Sequence, residues 1–108
     1  MERIETTILQ NLIFSEEYSR KVIPFIQPDF FEDRKEKIIF EEIVSFIVKY
    51  GSSITIEALN IEVENRTDLT DIEAKEIREI NQNLKESVVD HQWLLDVTEK
   101  WCRDRAIY

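Results

Sequence analysis

Glycine is nearly missing from this 108-residue chain: Gly51 stands alone, beside two prolines, one cysteine and one histidine. A P-loop wraps phosphates in the backbone N–H groups of several glycines and adds a Lys and a Ser/Thr, so one glycine excludes it. The same scarcity of chain breakers argues against turn-rich sandwiches and barrels, and for helices. Cys102 has no second thiol for an intrachain disulfide, and His91 cannot build a zinc cage with it at this separation. No glutamate lies three residues before His91, so the Glu-x-x-His pattern of carboxylate-bridged metals is missing too. The sequence therefore supplies no catalytic, cofactor-binding or metal-binding residue that can be named. His91 is expected to make a local polar contact beside Asp90, and Cys102 to pack as a small hydrophobe.

Long apolar runs are also lacking: none approaches the roughly twenty residues that span a bilayer. The start, Met1-Glu2-Arg3-Ile4-Glu5, does not follow the basic-then-apolar order of a secretory signal. Together with the lone thiol, this fits a reducing cytoplasmic setting without membrane contact. Positive charge is in short supply as well, with 14 Lys and Arg against 23 Asp and Glu and a net charge of −9. Neutralising a phosphate backbone needs several convergent cations, so direct nucleic-acid binding is disfavoured. A basic protein partner or plain solubility suits the charge better.

What is present is helical periodicity, in a chain that is 43% hydrophobic. Ile4, Ile8 and Leu12, with Leu9 and Ile13 beside them, draw one apolar stripe on a first helix. Ser15 followed by Glu16 and Glu17 caps a short second one. Pro24 removes a donor and biases Ile23 away from helical angles, so that helix ends or kinks near Ile23. Phe25, Phe30 and Phe31, in the irregular stretch that follows, are expected to plug the core. Asp33-Arg34-Lys35-Glu36 has the spacing of a reciprocal cap. The helix it opens, with Ile39, Phe40, Ile43, Val44, Phe46, Ile47, Val48 and Tyr50, is apolar over about 200° of arc and is expected to be central. Gly51 stops it.

Thr55 caps a fourth helix bearing Ile56, Leu59 and Val63. Thr70-Asp71-Ile72-Glu73 is a capping box for a fifth, with Ile77, Ile80 and Leu84 as its buried stripe. Glu73, Glu76 and Glu79, interleaved with Lys75, Arg78 and Lys85, read as a solvated acidic face. Asp90 opens the last helix, which has two apolar strips. Trp93, Leu94, Val97, Trp101 and Tyr108 fall within about 100° of one another, while Leu95, Cys102 and Ala106 lie near the opposite side. The first strip is assigned to the core. The second, with Arg103, is the candidate interface: Leu95, Cys102, Arg103 and Ala106. No Gly, Asn or Pro follows Ile107 to stop this helix, which implies that the chain is a fragment. The expected fold is all-α, a compact bundle of about six helices.

Several blocks carry a family resemblance: Pro28-Asp29-Phe30-Phe31, Ile39-Phe40, Ile43, Gly51 and the start of the helix at Ile54-Thr55-Ile56-Glu57-Ala58-Leu59. Ala58-Leu59-Asn60, Glu64-Asn65, Asp90-His91, Trp93-Leu94, Thr98-Glu99-Lys100 and Arg105-Ala106 extend it. The chain resembles the amino-terminal domain of DnaB-type replicative helicases, in particular those of T-even bacteriophages. The resemblance implies a globular helical domain over residues 1–89 and the start of a helical hairpin arm, here truncated, over 90–108. It implies a collar that self-associates in dimer pairs within a hexamer and receives primase or a helicase loader, in the cytoplasm of an infected host. ATP and magnesium would belong to a motor domain elsewhere in the parent protein. An acidic chain also admits a rival: a free-standing phage protein that mimics nucleic acid or inhibits a host enzyme. That rival calls for carboxylates arrayed with few cations among them.

Overall fold

Local capping decides where the chain turns helical. Ser15 accepts a hydrogen bond from the Tyr18 N–H at 3.3 Å, Thr55 from Ala58 at 3.1 Å and Asp90 from Trp93 at 2.8 Å. Thr70 and Glu73 close the reciprocal box, at 3.1 and 3.0 Å. Gly51 takes φ of 72°, a left-handed angle that glycine adopts without a Cβ penalty, and its N–H bonds the Ile47 carbonyl. The computed structural model describes residues 3–106. Six α-helices result: α1 (Ile4–Phe14), α2 (Glu16–Val22), α3 (Arg34–Tyr50), α4 (Ile56–Glu64), α5 (Asp71–Gln82) and α6 (His91–Ala106). Two 3-10 turns, Ile23–Phe25 and Pro28–Phe30, fill the proline-bearing stretch, and no strand occurs among the described residues. The all-α bundle read from periodicity is the fold.

The most heavily buried helix is α1. It buries Ile8, Leu9, Leu12 and Ile13, and with them the polar Glu5, Gln10 and Asn11. These polar groups are satisfied across the chain: Gln10 accepts from the Lys85 N–H at 3.1 Å, and the Asn11 amide donates to the Ser87 hydroxyl at 3.3 Å as well as to the Thr7 carbonyl of its own helix at 2.9 Å. A buried polar group is tolerable only with such partners. Around α1 stand Tyr18 of α2, Phe31, Ile38, Ile39, Phe40 and Ile43 of the α3 region, Leu59, Val63 and Ile77 of α4 and α5, and Leu94 and Trp101 of α6.

Four expectations are corrected. Helix α3 does pack on several sides, against α1, α4, α5 and the Pro28–Phe30 turn, but it is buried only in its first half; Val48 is 79% exposed and Tyr50 58%. The wide apolar arc of α3 outruns the body, because nothing packs on its last two turns from the far side. Asp33 caps α3 through the Lys35 N–H at 2.8 Å, but Glu36 does not reach back; it is buried and held by Arg3 at 2.8 and 3.2 Å. A guanidinium fork outcompetes one backbone N–H for a carboxylate. Of the three phenylalanines assigned to the core, Phe31 is buried and Phe30 half-buried, while Phe25 is 70% exposed because Pro24 and the 3-10 turn swing it outward. Trp93 is 49% exposed, since α6 rolls so that Leu94, Thr98 and Trp101 face inward. Tyr108, placed on the core strip from its spacing, lies outside the described residues.

Candidate docking groove

The inward roll of α6 leaves its other side against an open cleft. Leu94, Thr98 and Trp101 seat the helix on the body, and the Thr98 hydroxyl meets the buried Tyr18 hydroxyl at 2.7 Å. Trp101 packs edge-on to Phe30, with centroids 6.0 Å apart, and tilted against Phe31 at 5.0 Å. One face further round, Leu95, Cys102, Arg103 and Ala106 all line the same groove, of about 610 Å³. Its opposite wall is Lys21 and Val22 of α2 with Phe25 and Phe30. The floor is apolar and the rim charged, with Lys21, Glu99 and Arg103 at the mouth.

The structure thus brings the four candidate residues together and adds a wall that periodicity missed. The signal for that wall was available: Phe25 sits between two prolines in a stretch too irregular to offer a continuous buried face, and an aromatic there can be turned to either side. Cys102 is half-buried, and burial pushes its thiol pKa up, so the neighbouring arginines do not make it a thiolate. It serves the groove as a small apolar surface. A groove of this kind, apolar inside and rimmed by charge, is suited to taking an apolar side chain or helix edge from a partner.

Other sequence-predicted chemistry disperses. His91 makes no hydrogen bond through Nε2, which lies 3.7 Å from a Glu17 carboxylate oxygen of α2. Among the described residues no group of three His, Cys, Asp or Glu is arranged to hold a metal ion. Several acidic residues of α3 and α5 are tied to cations of the same chain: Arg34 to Glu73 at 3.1 Å, Lys35 to Glu76 at 3.4 Å and Arg66 to Glu42 at 2.7 Å. Arg66 also forks onto Asp68, at 2.9 and 2.8 Å, and that hydrogen bonding draws the Asp68 pKa down to about 2. Carboxylates neutralised in this way do not make the one-signed array that a nucleic-acid mimic requires.

No family model matches the chain. It is, however, 36% identical over 101 residues, 94% of its length, to the DnaB-like replicative helicase of Enterobacteria phage T4. Over this stretch the chain is similar to that DnaB-like replicative helicase. It spans 21% of the length of that phage helicase. The match therefore takes in nearly the whole chain, while most of the helicase relative has no counterpart in it. No described helix is long and apolar enough to cross a membrane.

Proposed function

We propose that this chain is the amino-terminal collar domain of a phage replicative helicase, a domain that assembles and docks proteins and leaves ATP hydrolysis to a motor elsewhere in the whole protein. The observation that carries this reading is the open apolar groove walled by Leu95, Cys102 and Ala106, in a chain whose kinship is to a replicative helicase. In the proposal, α6 is the first arm of a helical hairpin and residues 90–108 extend a body formed by residues 1–89. Its groove side meets a second copy, so that domains pair within a hexamer; primase or a helicase loader then docks on the collar so formed. The net charge of −9 favours protein contacts over phosphate and suits partners with basic faces. ATP and magnesium act in the motor domain, and the work is done in the cytoplasm of the infected host.

Light scattering tests the pairing. Ala106 is exposed, so Ala106→Asp should weaken self-association about tenfold or more while shifting stability by no more than about 0.5 kcal/mol. Undiminished association in that variant, or a wild-type chain that stays monomeric at high concentration and ignores added primase, would remove the docking reading. The chain alone, given ATP and single-stranded DNA, is expected to show no hydrolysis.

A further inference from the structure

The last turn of α6 is held down by a run of alternating charges at the groove's far end. Glu5, only 6% exposed, is its hub: it accepts from the Trp101 indole N–H at 3.3 Å and from Arg105 at 2.9 Å. Arg105 also pairs with the exposed Glu32, and its guanidinium lies 5.8 Å from the centre of the Trp101 ring. On the other side Arg3 stands 3.5 Å from Glu5 and grips the buried Glu36 at 2.8 and 3.2 Å. Two guanidiniums, Arg105 of α6 and Arg3 just before α1, therefore link three carboxylates drawn from α1, α3 and the loop before α3.

The position of this run matters more than its strength. Beyond Trp101 the residues Arg103, Asp104 and Ala106 are exposed and Cys102 is half-buried, so among the described residues no large apolar anchor fixes the last turn. Arg105 supplies the anchor instead, with a partner 100 residues away in sequence. A planar fork shared between two carboxylates sets one orientation of the turn, where an apolar contact would accept several. Cys102, Arg103 and Ala106, on that same turn, form the groove's wall. Without Arg105, Glu5 would be a buried carboxylate that has lost its closest guanidinium and keeps only Arg3 at 3.5 Å and the Trp101 indole N–H, and the drive to hydrate it would pull the turn away from α1.

We infer that the run Glu32, Arg105, Glu5, Arg3, Glu36 is a latch that seats the end of α6 on the body, and that the groove keeps its shape only while this latch is closed. The consequence for docking rests on the function proposed above, whereas the latch itself does not. The test is hydrogen exchange on the 108-residue chain, wild type against Arg105→Gln, with light scattering on the same samples. Amides of residues 99–106 should exchange about tenfold faster or more in the variant, while those of α1 and α3 keep their protection. Unchanged protection at 99–106, or acceleration spread evenly over all helices, would overturn the latch. Should Arg105→Gln fail to fold, Arg105→Lys keeps the charge without the fork and should loosen the same turn to a lesser degree; wild-type protection there would equally overturn it. Loosening in a variant that still self-associates like the wild type would sever the latch from the groove. Loosening in a chain whose wild type never self-associates would keep the latch and discard the docking function.

Discussion

The two sides of α6 both carry apolar residues and meet different fates. On the inner side the side chains that seat the helix have directed partners: Thr98 with the Tyr18 hydroxyl, the Trp101 indole with Glu5, and rings from Phe30 and Phe31 around Trp101. On the groove side Leu95, Cys102 and Ala106 offer apolar surface without such partners and face an open cleft. Directional bonds in a dry interior specify one seat and penalise every other, because a displaced donor stays unpaired. An open apolar wall tolerates many shapes. The same helix can thus be rigidly placed by one side and available on the other, which is what a docking element needs.

That contrast can be broken most forcefully at its inner side. Trp101→Ala should cost about 3–5 kcal/mol, read in a thermal or denaturant melt, since it empties a buried site and strips Glu5 of a donor. Thr98→Val keeps the shape but leaves the Tyr18 hydroxyl buried and unpaired, for about 1–3 kcal/mol. Burial already holds the Tyr18 pKa well above its ordinary value, so its hydroxyl stays protonated at all working pH. A smaller, pH-dependent effect is expected at Glu36. Burial raises its pKa above the ordinary 4.5, against the opposing pull of Arg3. For a raised carboxyl, the neutral form's stabilisation is fully present below 4.5 and is lost as pH rises through the folded value. Denaturant melts at about pH 4 and about pH 7 should therefore show wild type losing ground to Glu36→Gln on going up, and a gain instead would refute the sign. The smallest change is expected at Trp93→Ala, within about 1 kcal/mol, because that ring already stands half in solvent. Equal costs at Trp93 and Trp101 would erase the distinction between the two sides.

Much of the fold was legible in the residues. Ser15, Thr55, Thr70 with Glu73, and Asp90 mark five-residue neighbourhoods in which a side chain can reach only its own helix start, and each cap forms there. Helix α2 does end at Val22 before Pro24, but Ile23 keeps helical angles (φ −52°, ψ −42°) where the proline was expected to push it out of them, and the chain passes into a 3-10 turn. Glu36 shows where such local reading stops. Its spacing from Asp33 fits a box, yet Arg3, 33 residues away, takes it. Likewise the polar residues of α1 gave no hint of burial, because Lys85, Ser87 and Arg105, which satisfy them, come from the far end of the chain. The groove was half legible: the strip of Leu95, Cys102 and Ala106 follows from 3.6-residue periodicity, but the wall of Val22, Phe25 and Phe30 does not.

The sequence by itself determined where helices begin and end and that they would be amphipathic, since capping and periodicity act within one or two turns. Only the tertiary structure decided which helix is most heavily buried, which strip of α6 is sealed, and that Phe25 faces out to close a groove. Those choices turn on which surfaces find partners across the chain, a competition among contacts separated by tens of residues that no local pattern encodes.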